Sequence, residues 1–364
     1  MALPVPCCGF LTLDAARPVA LFPAAATLRI LLETCAAWNL FGDASGVPSP
    51  LLFWDGMNFK ELVESHPEIM RDRHALAFAR QHRPAEIADA FARSGVVMLK
   101  GALAPEMLAT CAETFRRFVD AADAKQNGAR PGERRQSADD QARGSSWYSP
   151  WMVRYRDGFP AAAIISALLR SWTWDVVEEI CGSSHIAIVL KFCTARHGLD
   201  TPLGIGAHQD AKVVAPDLPF SIWIPLQPIV PRLNSGLGFV VPAPDCLLPT
   251  LPHNDVGPDY VLEDPMRLWI PPYAAGDLTI HSRFSPHFTT GYGTLSDRFS
   301  LEIRATPRRA LPPCHEDPAI CVSRRNGIPT IVEARSSAGS PARHFLDCAE
   351  LGRAASRDLR RVYL

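Results

Sequence analysis

His208 and Asp210 stand two positions apart in the chain, and their types suit a metal ion. Side chains at i and i+2 of an extended segment leave the same face, so one imidazole and one carboxylate can bind together. A second imidazole from a distant strand, His281 or His287, would complete the set. Two histidines and one carboxylate leave open coordination positions, which is the arrangement that non-haem Fe(II) oxygenases use.

The His-x-Asp pattern occurs three times, at His208–Asp210, His253–Asp255 and His315–Asp317. Prolines and a glycine around the second pair leave no room for a regular strand, and prolines bracket the third. Only the first pair lies between two strand candidates, IAIVLKF and FSIWIPLQP. Metal geometry needs such a rigid support, so we expect His208–Asp210 to bind the metal. The alternative is a hydrogen-bonded core histidine beside a turn aspartate.

The composition of the chain limits the classes of binding partner that we expect. Its 364 residues are 47% hydrophobic and 21% charged with a net charge of −1. These values are typical of a soluble globular protein and favour neither nucleic acid nor a membrane as partner. The ten cysteines include no CxxC pair. We therefore expect buried thiols in a reducing cytoplasm rather than disulfides.

Helical patterns dominate up to about residue 180, and they predict one helix from Pro84 to near Gly95 and another around Ala161–Ile180. Short strands broken by Gly, Pro, Asn and Asp follow from Ile186, and an Arg-rich helix is predicted at Arg353–Val362. This order predicts an α+β fold, with a double-stranded β-helix (jelly-roll or cupin-like) core and flanking N-terminal helices. The predicted domains are a helical N-terminal extension (1–84), the jelly-roll domain (85–310) and a C-terminal tail that packs on the core (311–364). Residues 126–146 are polar and aperiodic, which is typical of a surface loop or of an active-site lid.

The stretch GDLTIHSRFSPHFTTGYGTLSDRFSLEIR resembles the last core strands of the phytanoyl-CoA dioxygenase family. AHQD and NSGLGFVVPAP resemble two earlier motifs, although the second lacks the usual glycine–serine pair and terminal histidine. The resemblance implies that His287 is the distal metal ligand and that Arg298, eleven residues later, binds the co-substrate. His281 then matches an earlier polar position, which is more often a pocket residue.

What the resemblance implies is an Fe(II)/2-oxoglutarate-dependent dioxygenase that consumes O2 and releases succinate and CO2. Arg298 and Ser300 share one strand face and would both bind the distal carboxylate of 2-oxoglutarate. Trp223 would border that pocket, and Lys191 would face either the co-substrate or solvent. Because Asp210 fills the third protein position, hydroxylation is favoured over halogenation.

The expected substrate is a small or medium-sized metabolite oxidised at an unactivated C–H bond, although desaturation and ring formation would need the same residues. The oligomeric state stays open. Two alternatives also remain open. One is a cupin-type metalloenzyme that does not use 2-oxoglutarate, and the other is a non-catalytic β-helix binding domain.

Overall fold

The computed structural model describes a β-rich core with a few short helices. The described residues are 52–53, 57–71, 73–109, 112–113, 152–154, 161–189, 192–198, 207–213, 218–231, 233–250, 256, 260–261, 263–290, 298–313 and 319–335. Their helices are α1 Phe59–Ser65, α2 Pro84–Ser94, α3 Ala161–Arg170, α4 Thr173–Cys181 and α5 Asp210–Val213. Their strands are β1 Leu52–Phe53, β2 Met57–Asn58, β3 Ala77–Phe78, β4 Val96–Leu99, β5 Met152–Arg154, β6 Ile186–Val189, β7 Thr194–Gly198, β8 Phe220–Pro225, β9 Leu237–Val240, β10 Leu268–Trp269, β11 Leu278–Ser282, β12 His287–Thr289, β13 Arg298–Pro307, β14 Ala319–Arg325 and β15 Ile328–Arg335.

Two sheets form the jelly-roll-like core. The large sheet has the strand order β15-β14-β6-β13-β8-β11-β4-β3, and β7 pairs with both β13 and β5. The small sheet has the order β10-β9-β12 and gains the backbone of His208 as an isolated antiparallel bridge to His287. From β8 to β13 the chain crosses between the sheets four times, since β8, β11 and β13 belong to the large sheet and β9, β10 and β12 to the small one.

Strand β13 gives the large sheet one apolar face and one polar face. Its residues Phe299, Leu301, Ile303 and Ala305 pack in a core shared with α2, α3 and α4. The alternate residues Ser300, Glu302, Arg304 and Thr306 are also buried and leave the opposite face. A strand with both faces buried usually carries apolar side chains on both, so the buried polar residues Ser300, Glu302 and Arg304 on one face indicate a function.

Aromatic side chains fill part of the space between the two sheets. Trp223 of β8 packs in one cluster with Phe239 of β9, Trp269 of β10 and Tyr273. Ring contacts join Trp223 to Tyr273 and Phe239 to Trp269, with centroids 5.0 and 6.1 Å apart. This packing holds the sheets at a fixed separation beside the polar row of β13.

The helix predicted from Pro84 to Gly95 is confirmed as α2, and Gly95 follows it with φ 75°. Other elements differ from the sequence expectation. The helix expected over residues 161–180 is two helices, and the strand expected over 186–192 ends at Val189. Residues 319–335 form a hairpin that joins the large sheet at β6, with Asn326 and Gly327 in its turn at positive φ.

The predicted division of the chain at residues 84 and 311 stays a prediction. The described part of the first segment contacts both sheets: β3 pairs with β4 of the large sheet, and the backbone N–H of Ile270, beside the small sheet, donates to the Ile69 carbonyl at 2.7 Å. The loop 126–146 and the predicted helix near the C-terminus lie outside the described residues. The pairs at 253–255 and 315–317 also lie outside them.

Two further observations bear on the composition argument. No helix in the described part of the chain is both long and apolar enough to cross a membrane. Within the same residues Cys181, Cys193, Cys246 and Cys321 are free thiols, and all except Cys246 are buried.

Candidate metal centre

His208 and His287 are direct neighbours across the small sheet. The backbone N–H of each donates to the carbonyl oxygen of the other at 3.0 Å. Paired residues of an antiparallel bridge present their side chains on one face, and the two imidazole centroids are 4.3 Å apart. Phe239 is paired with His287 in the small sheet, and Trp269 is paired with Phe239, so the four side chains share one face of that sheet. Phe239 and Trp269 pack between the sheets, and both histidines therefore point into the same space.

Asp210 reaches the same space from a different backbone conformation. The sequence predicted an extended backbone for both His208 and Asp210. The prediction is confirmed for His208 only, because Asp210 begins the single turn of α5. Gln209 between them is buried and holds the turn in place. Its amide nitrogen donates to the carbonyls of Cys246 and Phe284 at 3.0 and 2.7 Å, and its amide oxygen accepts from Leu248 N at 2.8 Å.

The three predicted ligands meet in the structure. His208, Asp210 and His287 each offer one ligand atom within 4.8 Å of the other two, and all three side chains are buried. The Nδ1 atom of His287 lies 3.0 Å from the Ser285 carbonyl oxygen, which fixes the ring. Its Nε2 atom is thereby directed to Asp210 Oδ1 at 3.9 Å.

This donor set fits a divalent transition metal. Two ligand atoms at neighbouring positions of an octahedron lie about 3.0 Å apart when each bond is about 2.1 Å. An ion would therefore draw the three ligand atoms, which lie within 4.8 Å of one another, together by about 1–2 Å. Two imidazoles and one carboxylate form the facial set that leaves the remaining positions open.

The charges of the cluster also suit a cation. Burial by itself would raise the pKa of Asp210, but the charge of Arg304 and the neighbouring imidazoles lower it well below its usual value. Burial, together with His208 and His281, lowers the pKa of His287 well below 6.5. The site at neutral pH thus offers an ionised carboxylate and a neutral imidazole, which are the forms that bind metal.

Arg304, which the sequence interpretation missed, lies directly against the predicted carboxylate ligand. Its Nη2 atom donates to Asp210 Oδ2 at 3.2 Å and Oδ1 at 3.3 Å, and to Glu302 Oε2 at 3.0 Å. Burial lowers the pKa of Arg304, but the two carboxylates outweigh it and raise the pKa above its ordinary value. The alternation of polar residues in RFSLEIR was the available signal, since every second side chain of one strand shares a face.

His281 lies beside the cluster without belonging to the set of three. Its Nε2 atom is 3.7 Å from Asp210 Oδ2, and its ring centroid is 4.4 Å from that of His287. Among the described residues neither ring nitrogen has a hydrogen-bond partner, although the side chain is buried. A buried imidazole without partners is costly, so its position beside the cluster indicates a role there.

The residues predicted to bind the co-substrate are described to different extents. Arg298 begins β13 opposite Gly198 of β7, but its side chain lies outside the description, as does all of Lys191. Ser300 is fully buried, and its hydroxyl has no hydrogen-bond partner among the described residues. Trp223 is buried on β8 and pairs in register with Glu302, so it borders the polar row.

No protein-family model and no curated protein matches the chain. Solved structures do resemble it. The non-haem monooxygenase ThoJ is 13% identical, with 75% of this chain and 99% of that chain covered and a TM-score of 0.47. The α-ketoglutarate-dependent carbocyclase SnoK of nogalamycin biosynthesis is 16% identical over 62% and 84% of the two chains, with a TM-score of 0.43.

The α-ketoglutarate-dependent epimerase SnoN from the same biosynthesis is 18% identical over 67% and 86% of the two chains, with a TM-score of 0.38. All three scores are below 0.5. This likeness assigns no activity to the chain, and a functional assignment depends on the site's own residues.

Proposed function

We propose that the chain is an Fe(II)/2-oxoglutarate-dependent oxygenase. The observation that carries the proposal is the buried cluster of His208, Asp210 and His287, with ligand atoms within 4.8 Å of one another between two sheets. In this proposal the core is a double-stranded β-helix, and the enzyme resembles the phytanoyl-CoA dioxygenase family. The repeated crossing of the chain between the large and small sheets supports the first point. The motif GDLTIHSRFSPHFTTGYGTLSDRFSLEIR supports the second.

The bound iron, together with 2-oxoglutarate and O2, would supply oxidation of an unactivated C–H bond with release of succinate and CO2. The chain itself supplies the geometry. His208 and His287 are held by mutual backbone hydrogen bonds, and Asp210 is held by α5 and Gln209. Their burial excludes bulk water from the face of the cluster that the sheets cover.

The distal carboxylate of 2-oxoglutarate is assigned to Arg298 and Ser300. Ser300 supports this assignment because its buried hydroxyl lacks a partner among the described residues, and a ligand carboxylate would satisfy it. Arg298 stands two residues before Ser300 on β13, and a guanidinium can bind a carboxylate through two parallel hydrogen bonds. Trp223 borders this pocket, and Lys191 is proposed as a further contact of the co-substrate.

The reaction is assigned as hydroxylation of a small or medium-sized metabolite in the cytoplasm. Asp210 supports hydroxylation because a carboxylate occupies the position that a halide would need.

Anaerobic titration with Fe(II), followed by an assay of succinate formed from 2-oxoglutarate and O2, tests the proposal. We expect one Fe(II) per chain and slow succinate formation even without the substrate. His208→Ala, Asp210→Ala and His287→Ala should each lose both properties, whereas His185→Ala, which removes an exposed histidine, should keep them. Wild-type protein that binds no Fe(II) would favour a non-catalytic binding domain.

A cupin-type metalloenzyme that does not use 2-oxoglutarate is the second candidate. His281 favours it, since its buried imidazole has no hydrogen-bond partner among the described residues and its Nε2 atom lies 3.7 Å from Asp210 Oδ2. Four protein ligands would leave two positions of an octahedron, whereas chelating 2-oxoglutarate and O2 together need three. Fe(II) binding without any 2-oxoglutarate-dependent succinate formation, together with weaker metal binding in His281→Ala, would favour this candidate.

A further inference from the structure

We propose that Ser221 and Arg304 are positioning residues that hold Asp210 against the large sheet, so that only its Oδ1 atom is left for the metal. The inference rests on the proposed metal site and adds two residues that are not ligands. It predicts a carboxylate that binds the metal through one oxygen, which keeps a coordination position open for the reaction.

Strand register places both residues beside Asp210. Ser221 of β8 pairs with His281 of β11 on one side and with Arg304 of β13 on the other. The three side chains therefore form one row across three adjacent strands, on the face that meets the cluster. Asp210, which comes from α5 and not from the large sheet, lies on this row and contacts each of the three.

The two oxygens of Asp210 have different surroundings. Oδ2 accepts hydrogen bonds from Ser221 Oγ and from Arg304 Nη2, and it also faces His281. Among the described residues Oδ1 accepts only from Arg304, and it lies 3.9 Å from His287 Nε2. Two donors satisfy the in-plane lone pairs of Oδ2, whereas Oδ1 keeps one lone pair on the side of the imidazoles. The metal is therefore expected at Oδ1.

Arg304 can position the carboxylate because it is itself held. Its Nη1 atom donates to the Phe192 carbonyl oxygen at 2.7 Å, and its Nη2 atom also donates to Glu302 at 3.0 Å. The planar guanidinium cannot rotate without breaking these bonds. Removing a hydrogen-bond partner of a metal ligand typically lowers metal affinity by about 10- to 100-fold.

The test measures metal affinity with Co(II) and Fe(II) in full-length Ser221→Ala and Arg304→Lys, beside wild type. Both substitutions conserve charge, so a change in affinity reports geometry and not a change in the field at the metal. Thr306→Val is the matched control, because it removes a buried hydroxyl from the same face of β13 that has no described partner. X-ray absorption of the Co(II) forms gives the number of oxygen ligands.

We expect affinity to fall about 10-fold or more in both variants, with a second carboxylate oxygen joining the metal, and to stay unchanged in Thr306→Val. Because Ser221→Ala removes one oxygen and no charge, it decides the question even where Arg304→Lys fails to fold. If both variants bind the metal within twofold of the wild-type affinity and with unchanged coordination, the positioning role is wrong. The proposed metal site is then unaffected. Wild type that binds neither metal overturns the proposed function as well.

Discussion

Replacing Arg304 with methionine should strongly destabilise the metal-free protein at neutral pH. The arginine is 3% exposed, and its charge lies against the carboxylates of Asp210 and Glu302. Methionine fills a similar volume without charge or hydrogen bonds. The variant therefore leaves two buried carboxylates without their shared counter-charge, while the packing of β13 is otherwise kept.

The size of the effect follows from the burial of the pair. Removing one partner of a buried ion pair typically costs about 3–5 kcal/mol, because the remaining charge stays desolvated. Arg304 serves two carboxylates and also satisfies the Phe192 carbonyl oxygen, so we expect the upper part of that range, about 4–5 kcal/mol. Glu302→Gln introduced into the variant should recover part of this loss, since it removes one of the two carboxylates that have lost the charge of Arg304.

The loss should shrink as the pH falls. In the wild type the pKa of Asp210 is held well below its usual value, so its contribution to stability is present above the unfolded pKa of about 4. That contribution is lost only as the pH falls through the lower folded pKa. Without Arg304 the main remaining influence is burial, which raises the pKa of Asp210 and favours protonation. Between pH 7.5 and 5 the free energy of unfolding of Arg304→Met should therefore move back toward that of the wild type. In the wild type Asp210 stays ionised over this range, because its folded pKa is lower.

Urea unfolding followed by far-UV circular dichroism, in the presence of EDTA at pH 7.5 and pH 5, measures the difference in free energy. Arg324→Met is the matched control, because Arg324 also contacts two carboxylates, Asp175 and Glu178, but is partly exposed. Exposed pairs contribute about 0–1 kcal/mol, so its loss should be small at both pH values. Equal stability of Arg304→Met and wild type at pH 7.5, or a deficit that stays constant down to pH 5, would refute the assigned counter-charge.

Three further predictions concern the backbone, the thiols and the metal. Gly276→Ala should destabilise the protein by more than about 2 kcal/mol in urea unfolding, because φ is +97° and a Cβ atom would lie 2.3 Å from a backbone oxygen. Gly327→Ala, with φ +78° and open space, should cost only about 1 kcal/mol, and equal losses would contradict the clash. Burial raises the pKa of Cys193 to about 11, whereas Cys246 is exposed. A thiol reagent at pH 8, followed by peptide mapping, should therefore find Cys246 labelled and Cys193 unmodified. Rapid labelling of Cys193 would contradict its burial. Co(II) at 100 times its Kd should stabilise the protein by about 2.7 kcal/mol and EDTA should reverse this, whereas an unchanged unfolding midpoint would argue against a preformed site.

The sequence was sufficient to propose the metal ligands, and the structure brings the three proposed side chains together. His208 and Asp210 were separated from two similar pairs by the strands that flank them, and the resemblance to a known family selected His287 over His281. These features are local, because apolar runs, turn residues and spacings depend on neighbours along the chain. The helix from Pro84 and most of the strands after Ile186 were predictable for the same reason.

Only the tertiary structure decided what surrounds the carboxylate. Asp210 meets Arg304 94 residues away along the chain, and it does so through the register of β13 against β8. A shift of one residue in that register would turn Arg304 to the helical side and leave Asp210 without its counter-charge. Such a pairing depends on how the sheets close on each other, and no local pattern near Asp210 specifies it. The ligand types were determined by the sequence, whereas the charge and orientation of Asp210 were determined by the fold.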